Sequence, residues 1–126
     1  RYLLAMLTHR TLRSALAAAV VLAALSGCAA SGSSSPAGDW GVVTTGQPSL
    51  TVESDGSWHG NDGCNAMKGD GKISGQEFTF GPFASTLVAC EGVTPWLNLA
   101  VTAKVDGDSL VVYRGDGSKI GTLSRR

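Results

Sequence analysis

From Asp39 to the end of the chain, apolar and polar residues alternate in short runs separated by turn-forming pairs. The runs "WGVVTT", "SLTVES", "GKIS", "EFTF", "SLVVYR" and "KIGTLS" are rich in β-branched and aromatic side chains, and their short lengths suit strands. Between them Asp55-Gly56, Asp70-Gly71, Asp106-Gly107 and Asp116-Gly117 supply pairs that tolerate the positive φ of tight hairpins, and Gly75-Gln76 and Gly46-Gln47-Pro48 add two further turns. The pattern predicts a meander of short antiparallel strands. One segment departs from it. "GVTPWLNLAVTAK" sets Val93, Trp96, Leu97, Ala100 and Ala103 at the spacing of one buried helical face. Thr94 before Pro95 suits an N-cap followed by the first helical position, where a missing N–H costs nothing. This predicts a helix over 95–104 lying across the open side of a curved sheet, with Trp96 and Leu97 as its deepest contacts.

The pattern before Cys28 is of another kind. "MLTHRTLRSALAAAVVLAALSGC" has a charged head with Arg10 and Arg13, an apolar run over 15–25, then small residues. This is the order of a signal peptide, here over 1–27 with the natural start at Met6. The run is about half of the roughly twenty residues needed to cross a bilayer core, so a permanent span is not expected. Leu25-Ser26-Gly27-Cys28 resembles the bacterial lipobox, in which two small residues let the extended backbone enter a narrow peptidase site and the Cys thiol becomes the carrier of a diacylglycerol. The expected lipid attachment is therefore at Cys28. The following "AASGSSSPAG" has almost nothing to bury, and residues 28–38 read as the lipidated Cys and a flexible tether. A domain over 39–126 follows, held as a monomer on the extracytoplasmic face of the cell envelope.

Charge narrows the partners. After Cys28 there are seven basic and ten acidic side chains, a net charge of −3, and no basic run longer than Arg125-Arg126. A nucleic-acid ligand would need a clustered basic face to displace counterions, so nucleic acid is set aside. The 126 residues allow one domain. Of three cysteines, Cys28 is used by the anchor, which leaves Cys64 and Cys90 in a compartment that permits disulfides. Closing the chain between them would stabilise by about 3.5 kcal/mol in the chain-entropy model. Two unreactive thiols, a metal pair with His59 and a Cys–His nucleophile are the alternatives. A structural zinc site wants four ligands, and the chain has no C-x-x-C or H-x-x-x-H spacing, so the disulfide is favoured.

"GNDGCNAMKGDGKISGQEFTFGPFASTLVAC" followed by "EGVTPWLNLAVTAKVDGDSLVVYRGDGSKIGTL" resembles the META domain family, the HslJ-like heat-shock lipoproteins, over almost everything from Trp40 to Leu123. The specific pieces are Gly63-Cys64-Asn65, "TLVAC" from Thr86 to Cys90, and the closing "VDGDSLVVY" and "GTL". Trp96 departs from the phenylalanine or tyrosine expected there at least as often. The resemblance implies a mainly β (α+β) fold, a small barrel-like antiparallel sheet with one helix packed against it. It also implies a role in stress tolerance and in antibiotic or heat response that is not tied to a reaction.

The remaining polar motifs have structural readings. Asn65 is expected to hold its loop by bonding nearby backbone or to take a left-handed conformation, with ligand binding through its amide, beside Gly63, as the alternative. "GDGK" and "DGDS" lack the acidic ladder and terminal Glu of a calcium loop, and Ile73 stands where a phosphate-binding loop needs Ser or Thr, so both are expected to be hairpin turns. His59 is the only histidine after Cys28 and is expected on an exposed strand. No two of Glu53, Glu77 and Glu91 are singled out as a glycosidase pair. The expectation is a non-enzymatic domain without cofactor or metal, acting on an envelope protein partner by binding or structural support. An inhibitor of a secreted hydrolase, with "GPFASTLVAC" as its projecting loop, is the alternative.

Overall fold

A computed structural model describes residues 34–126. The predicted signal peptide, Cys28 and residues 28–33 of the predicted tether lie outside the described residues. Eight strands follow one another: β1 (Gly38–Gly41), β2 (Ser49–Val52), β3 (Trp58–Asn61), β4 (Ala66–Ser74), β5 (Glu77–Ser85), β6 (Thr102–Asp106), β7 (Ser109–Tyr113) and β8 (Lys119–Ser124). Each pairs antiparallel with its sequence neighbour in the order β1 to β8. The sheet curls until a single bridge, Trp40 to Arg125, joins its two edges. The Arg126 N–H donates to the Asp39 carbonyl at 3.0 Å beside that bridge. The result is a nearly closed, up-and-down barrel.

Alternation along the strands fills its interior. Trp40, Leu50, Phe78, Leu97, Leu110 and Val112 are fully buried. Phe80 meets Trp58 edge-on at 5.1 Å and Phe78 at 4.8 Å between ring centroids, the arrangement that aromatic quadrupoles favour. Because odd-numbered strands all run one way, the connections over 42–48, 62–65, 86–101 and 114–118 share one end of the barrel. Both ends of the described chain and the turns over 53–57, 75–76 and 107–108 share the other.

The structure corrects four expectations. The helix over 95–104 is absent, and among the described residues there is no α-helix at all. A single 3-10 turn, Leu97–Leu99, stands in its place; Trp96 flanks it with no side-chain cap, and Ala100 ends it in extended conformation at φ −65° and ψ 133°. Residues 102–106 pair with both β5 and β7, since Ala103 and Val105 fit a period of two as well as of 3.6, and the β-branched Val101, Thr102 and Val105 favour the strand. Leu97 still plugs the loop end of the barrel, and Trp96 lies on β8, where a Cβ at Gly121 would come within 2.5 Å of its ring.

Asp70-Gly71 is not a turn. It sits inside β4, where the register with β5 shifts between Gly69 and Gly71. The glycine serves packing, because a Cβ there would meet the Phe78 ring at 2.3 Å and the Thr79 carbonyl at 2.6 Å. "WGVVTT" contributes only Trp40 and Gly41 to β1; Val42 and Val43 are exposed in the loop beyond. Finally, the fold begins before Asp39. Pro36 is buried, and its carbonyl accepts the Trp40 indole N–H at 2.9 Å, so the last residues of the predicted tether belong to the barrel. Among the described residues no helix is long and apolar enough to cross a membrane.

If Gly71 is required by packing, Gly71→Ala lowers stability by about 1–3 kcal/mol, the usual range for overpacking. Gly115→Ala, where the nearest atom is a Val101 methyl at an ordinary 3.6 Å, shifts it by less than about 0.5 kcal/mol. Urea unfolding of the two variants checks this; equal losses would place Gly71 in a role other than packing.

Candidate functional site

The loop end of the barrel gathers the motif residues. Between β3 and β4 the chain turns through Asp62, Gly63, Cys64 and Asn65. Asp62, buried, accepts the Cys64 N–H at 2.9 Å and the Asn65 N–H at 2.6 Å, while Asn61 Oδ1 accepts the Gly63 N–H at 2.7 Å. These are local side-chain substitutes for missing ladder bonds. Gly63 takes the positive φ, +101°, and a Cβ on it would press on Gly46 at 3.1 Å, whose N–H donates to the Gly63 carbonyl.

Asn65 binds the chain beyond β5 as a strand neighbour would. Its Oδ1 accepts the Val88 N–H at 2.6 Å and the Thr86 hydroxyl at 2.9 Å, and its Nδ2 donates to the Val88 carbonyl at 3.1 Å. Thr86 completes the junction, accepting the Ala66 N–H on its hydroxyl and donating its own N–H to the Ala66 carbonyl. Cys64 and Cys90 form a disulfide whose Cα atoms are 5.7 Å apart, across 26 residues of sequence. The expected pair is thus joined, and Gly63 and Asn65 flank it in one loop. The backbone-binding expectation for Asn65 holds, on partners far along the chain; the left-handed conformation belongs to Gly63. Asp62 and Val88 were not singled out from the sequence. Asp62 carried a usable signal, an Asp before Gly in a turn.

Under the β1–β2 loop lies a cleft of about 370 Å³, lined by Val43, Thr44, Thr45, Gln47, Ser49 and Asn61 and closed on one side by Gly63 and the disulfide. His59 is elsewhere, exposed on β3 with Thr51 and Lys68 as its cross-strand neighbours, beside a shallow groove that includes Ala84 and Thr86. Among the described residues no three His, Cys, Asp or Glu side chains converge in a way that would hold a metal ion.

Two exposed Asp-Gly-Ser turns repeat one geometry. Asp55 accepts the Ser57 hydroxyl at 2.6 Å and its N–H at 2.9 Å, and Asp116 accepts the same groups of Ser118 at the same distances. The serine hydroxyl is the main cause that lowers each carboxyl below its ordinary 3.8, with the serine N–H second and Arg114 adding a smaller attraction at Asp116.

A family model described as META domain matches residues 25–125. No curated protein and no solved structure matches the chain.

Asn65→Ala removes the Asn65 partner of the Val88 N–H and carbonyl and the acceptor for the Thr86 hydroxyl proton, and lowers stability by about 2–3 kcal/mol. Removing the disulfide by Cys64→Ala with Cys90→Ala costs about 3.5 kcal/mol. Because both pin the same segment, a double-mutant cycle gives a coupling of at least about 0.5 kcal/mol, and strict additivity would separate their roles. A lowered carboxyl pKa in the folded state stabilises above the unfolded value and loses that contribution as pH falls through the folded one. The thermal midpoint of the wild type therefore exceeds that of the Asp55→Asn, Asp116→Asn double variant by a margin that shrinks below about pH 4. A margin that grows on acidification would refute the assignment.

Proposed function

From the premise that this chain belongs to the META domain family, we propose that it is a non-enzymatic, lipid-anchored binding domain. It works on the extracytoplasmic face of the cell envelope, as a monomer, in binding or structural support under stress. The observation that carries the binding reading is where the polar groups go. Asp62, Asn65 and Thr86 are engaged in holding loops together, the barrel interior is filled by apolar side chains, and the exposed large aliphatic residues Val42, Val43, Leu87 and Val88 lie in loops at the end opposite the N-terminus. The anchor rests on Leu25-Ser26-Gly27-Cys28 and the charged and apolar stretches before it. The partner is an envelope protein, and nucleic acid is not among the ligands that the mildly acidic domain suits.

The inhibitor reading has one observation in its favour. Leu87 is 96% exposed on a segment fixed both by Asn65 and by the disulfide, which is how a rigid projecting loop is built. Leu87→Asp should abolish stoichiometric inhibition of a secreted hydrolase if that is the function.

Cys28→Ala is expected to release the domain from the membrane fraction or to leave it as an uncleaved precursor; normal processing with retention on the membrane would overturn the anchor. His59→Ala is expected to change stability by less than about 1 kcal/mol and to rescue a stress-sensitive deletion strain as the wild type does. A variant that folds normally but fails to rescue would overturn the non-enzymatic reading.

A further inference from the structure

Leu87 is 96% exposed and Val88 60%, within a stretch from Thr86 to Ala89 that is exposed throughout and carries no charge. A single exposed leucine by itself means little. What sets this one apart is how firmly the backbone around it is fixed. Residues 86–90 run on from β5 without a turn or bend, and the pairing of β5 with β4 ends at Ser85. In an ordinary loop, an extended and uncovered stretch of this kind is a preferred site of proteolytic nicking. Here the same stretch is braced from behind.

The bonds that brace it fall on both sides of one peptide bond, Leu87–Val88. On the amino side, the Thr86 N–H donates to the Ala66 carbonyl at 3.1 Å and the Thr86 hydroxyl donates to Asn65 Oδ1 at 2.9 Å. On the carboxyl side, Asn65 Oδ1 accepts the Val88 N–H at 2.6 Å and Asn65 Nδ2 donates to the Val88 carbonyl at 3.1 Å. Two residues further on, the disulfide joins Cys90 to Cys64. Asn65 is itself buried, and its N–H donates to the buried Asp62 at 2.6 Å. The Leu87 side chain is left in solvent between the two sets of ties. Were the Leu87–Val88 bond cut, both new ends would stay in place, with the Val88 nitrogen on Asn65 Oδ1 beside the Leu87 carbonyl carbon.

We propose that residues 86–90 enter the active-site cleft of a secreted serine endopeptidase as a substrate that is not released, with Leu87 in an apolar specificity pocket. Such an enzyme reads extended main chain and one anchoring side chain, and an apolar slot suits leucine. In acylation the enzyme's serine oxygen bonds the Leu87 carbonyl carbon, the Leu87–Val88 C–N bond breaks, and the serine proton passes through the enzyme's histidine to the Val88 nitrogen. From an ordinary substrate the amine then diffuses away and water takes its place. Here Asn65 and the disulfide hold the amine against the ester as a tethered nucleophile of high effective concentration. It re-forms the peptide bond and returns the proton to the serine before water hydrolyses the ester. The inference rests on the inhibitor reading above, narrows its hydrolase to a serine endopeptidase, and is independent of the anchor at Cys28.

The test titrates the full chain, with its disulfide intact and in mild detergent, into chymotrypsin, whose specificity pocket is an apolar slot, and into trypsin, whose pocket carries an aspartate. The wild type is expected to inhibit chymotrypsin one to one and to leave trypsin active. Leu87→Lys alters a side chain that lies in solvent, so it folds as the wild type does. It weakens inhibition of chymotrypsin at least about a hundredfold and gains inhibition of trypsin to a similar degree. Asn65→Ala turns the inhibitor into a substrate: chymotrypsin activity recovers, and non-reducing mass spectrometry shows the gain of one water between Leu87 and Val88. Should that variant fold poorly, Thr86→Val, which removes only the two bonds of the hydroxyl, shortens the inhibited phase in the same direction. No inhibition of chymotrypsin, prompt cleavage of the wild type at Leu87–Val88, or inhibition that Leu87→Lys leaves unchanged would each overturn the inference. Lysozyme assayed in parallel keeps the two readings apart. Inhibition of lysozyme alone leaves the inhibitor reading standing and sinks the endopeptidase, whereas no effect on either enzyme counts against both.

Discussion

Closing eight strands into a barrel from a first strand of four residues is the constraint on which the rest of this structure depends. An open sheet would expose two edges with unpaired backbone groups, and β1 is too short to cover β8 along its length. Trp40 solves much of this at one position. Its ring is fully buried in the core, its backbone makes the bridge to Arg125, its indole N–H is satisfied by the Pro36 carbonyl, and the Arg125 guanidinium lies 4.1 Å from the ring centroid. Core, seam and N-terminal entry therefore share one side chain. Leu97 and Trp96 fill the opposite end, where β8 runs on past the bridge.

An even number of antiparallel strands puts both ends of the described chain on one side of the barrel and gives the other side to loops. Two of those loops, over 42–48 and 86–101, are long enough to cost considerable ordering entropy, and neither contains a strand or an α-helix. Their order comes from cross-ties: the Gly46 to Gly63 bond, the Asn65 pairing with Val88 and the Cys64–Cys90 disulfide all converge on the turn between β3 and β4. That turn is a hub, which accounts for the density of Asn, Asp, Gly and Cys in "NDGCN".

The hairpins were legible because their chemistry is local. Asp55-Gly56, Gly75-Gln76 and Asp116-Gly117 lie between strands, Asp106-Gly107 ends β6 and opens its turn, and "KIGTLS" matches β8 from end to end. Asp70-Gly71 carries the same local signal with a different cause, since a glycine demanded by the Phe78 ring is indistinguishable in sequence from one demanded by a turn. The segment over 95–104 failed because Ala103 and Val105 satisfy two periods, and the choice between them is made by β5 and β7, partners the segment itself does not encode. β3, "WHGN", was absent from the runs read as strands for lack of β-branched residues, although His59 was expected on a strand; its strand character comes from pairing on both sides. The Cys64–Cys90 pairing followed from counting thiols and from the expected, disulfide-permitting compartment. The reach of Asn65 to Val88 could not be read from sequence, because an amide that replaces a ladder neighbour looks like any other turn asparagine.

The division between the two ends has a consequence for how such a domain can vary. At the chain-end side, Trp40, Arg125, Asp39 and Arg126 are bound into closure, and a change at Trp40 would disturb the seam together with the core. At the loop side, the hub fixes only the roots of the long loops, and although backbone bonds order the turn over 42–48, the Thr44, Thr45 and Gln47 side chains make no hydrogen bond with the described residues and Leu87 is exposed. Those positions can change chemistry without altering register or closure. The proposed anchor at Cys28 would lie on the side of the chain ends, and these positions lie at the other end of the barrel, so the geometry that stabilises the barrel separates the residues that must stay from those free to meet a partner.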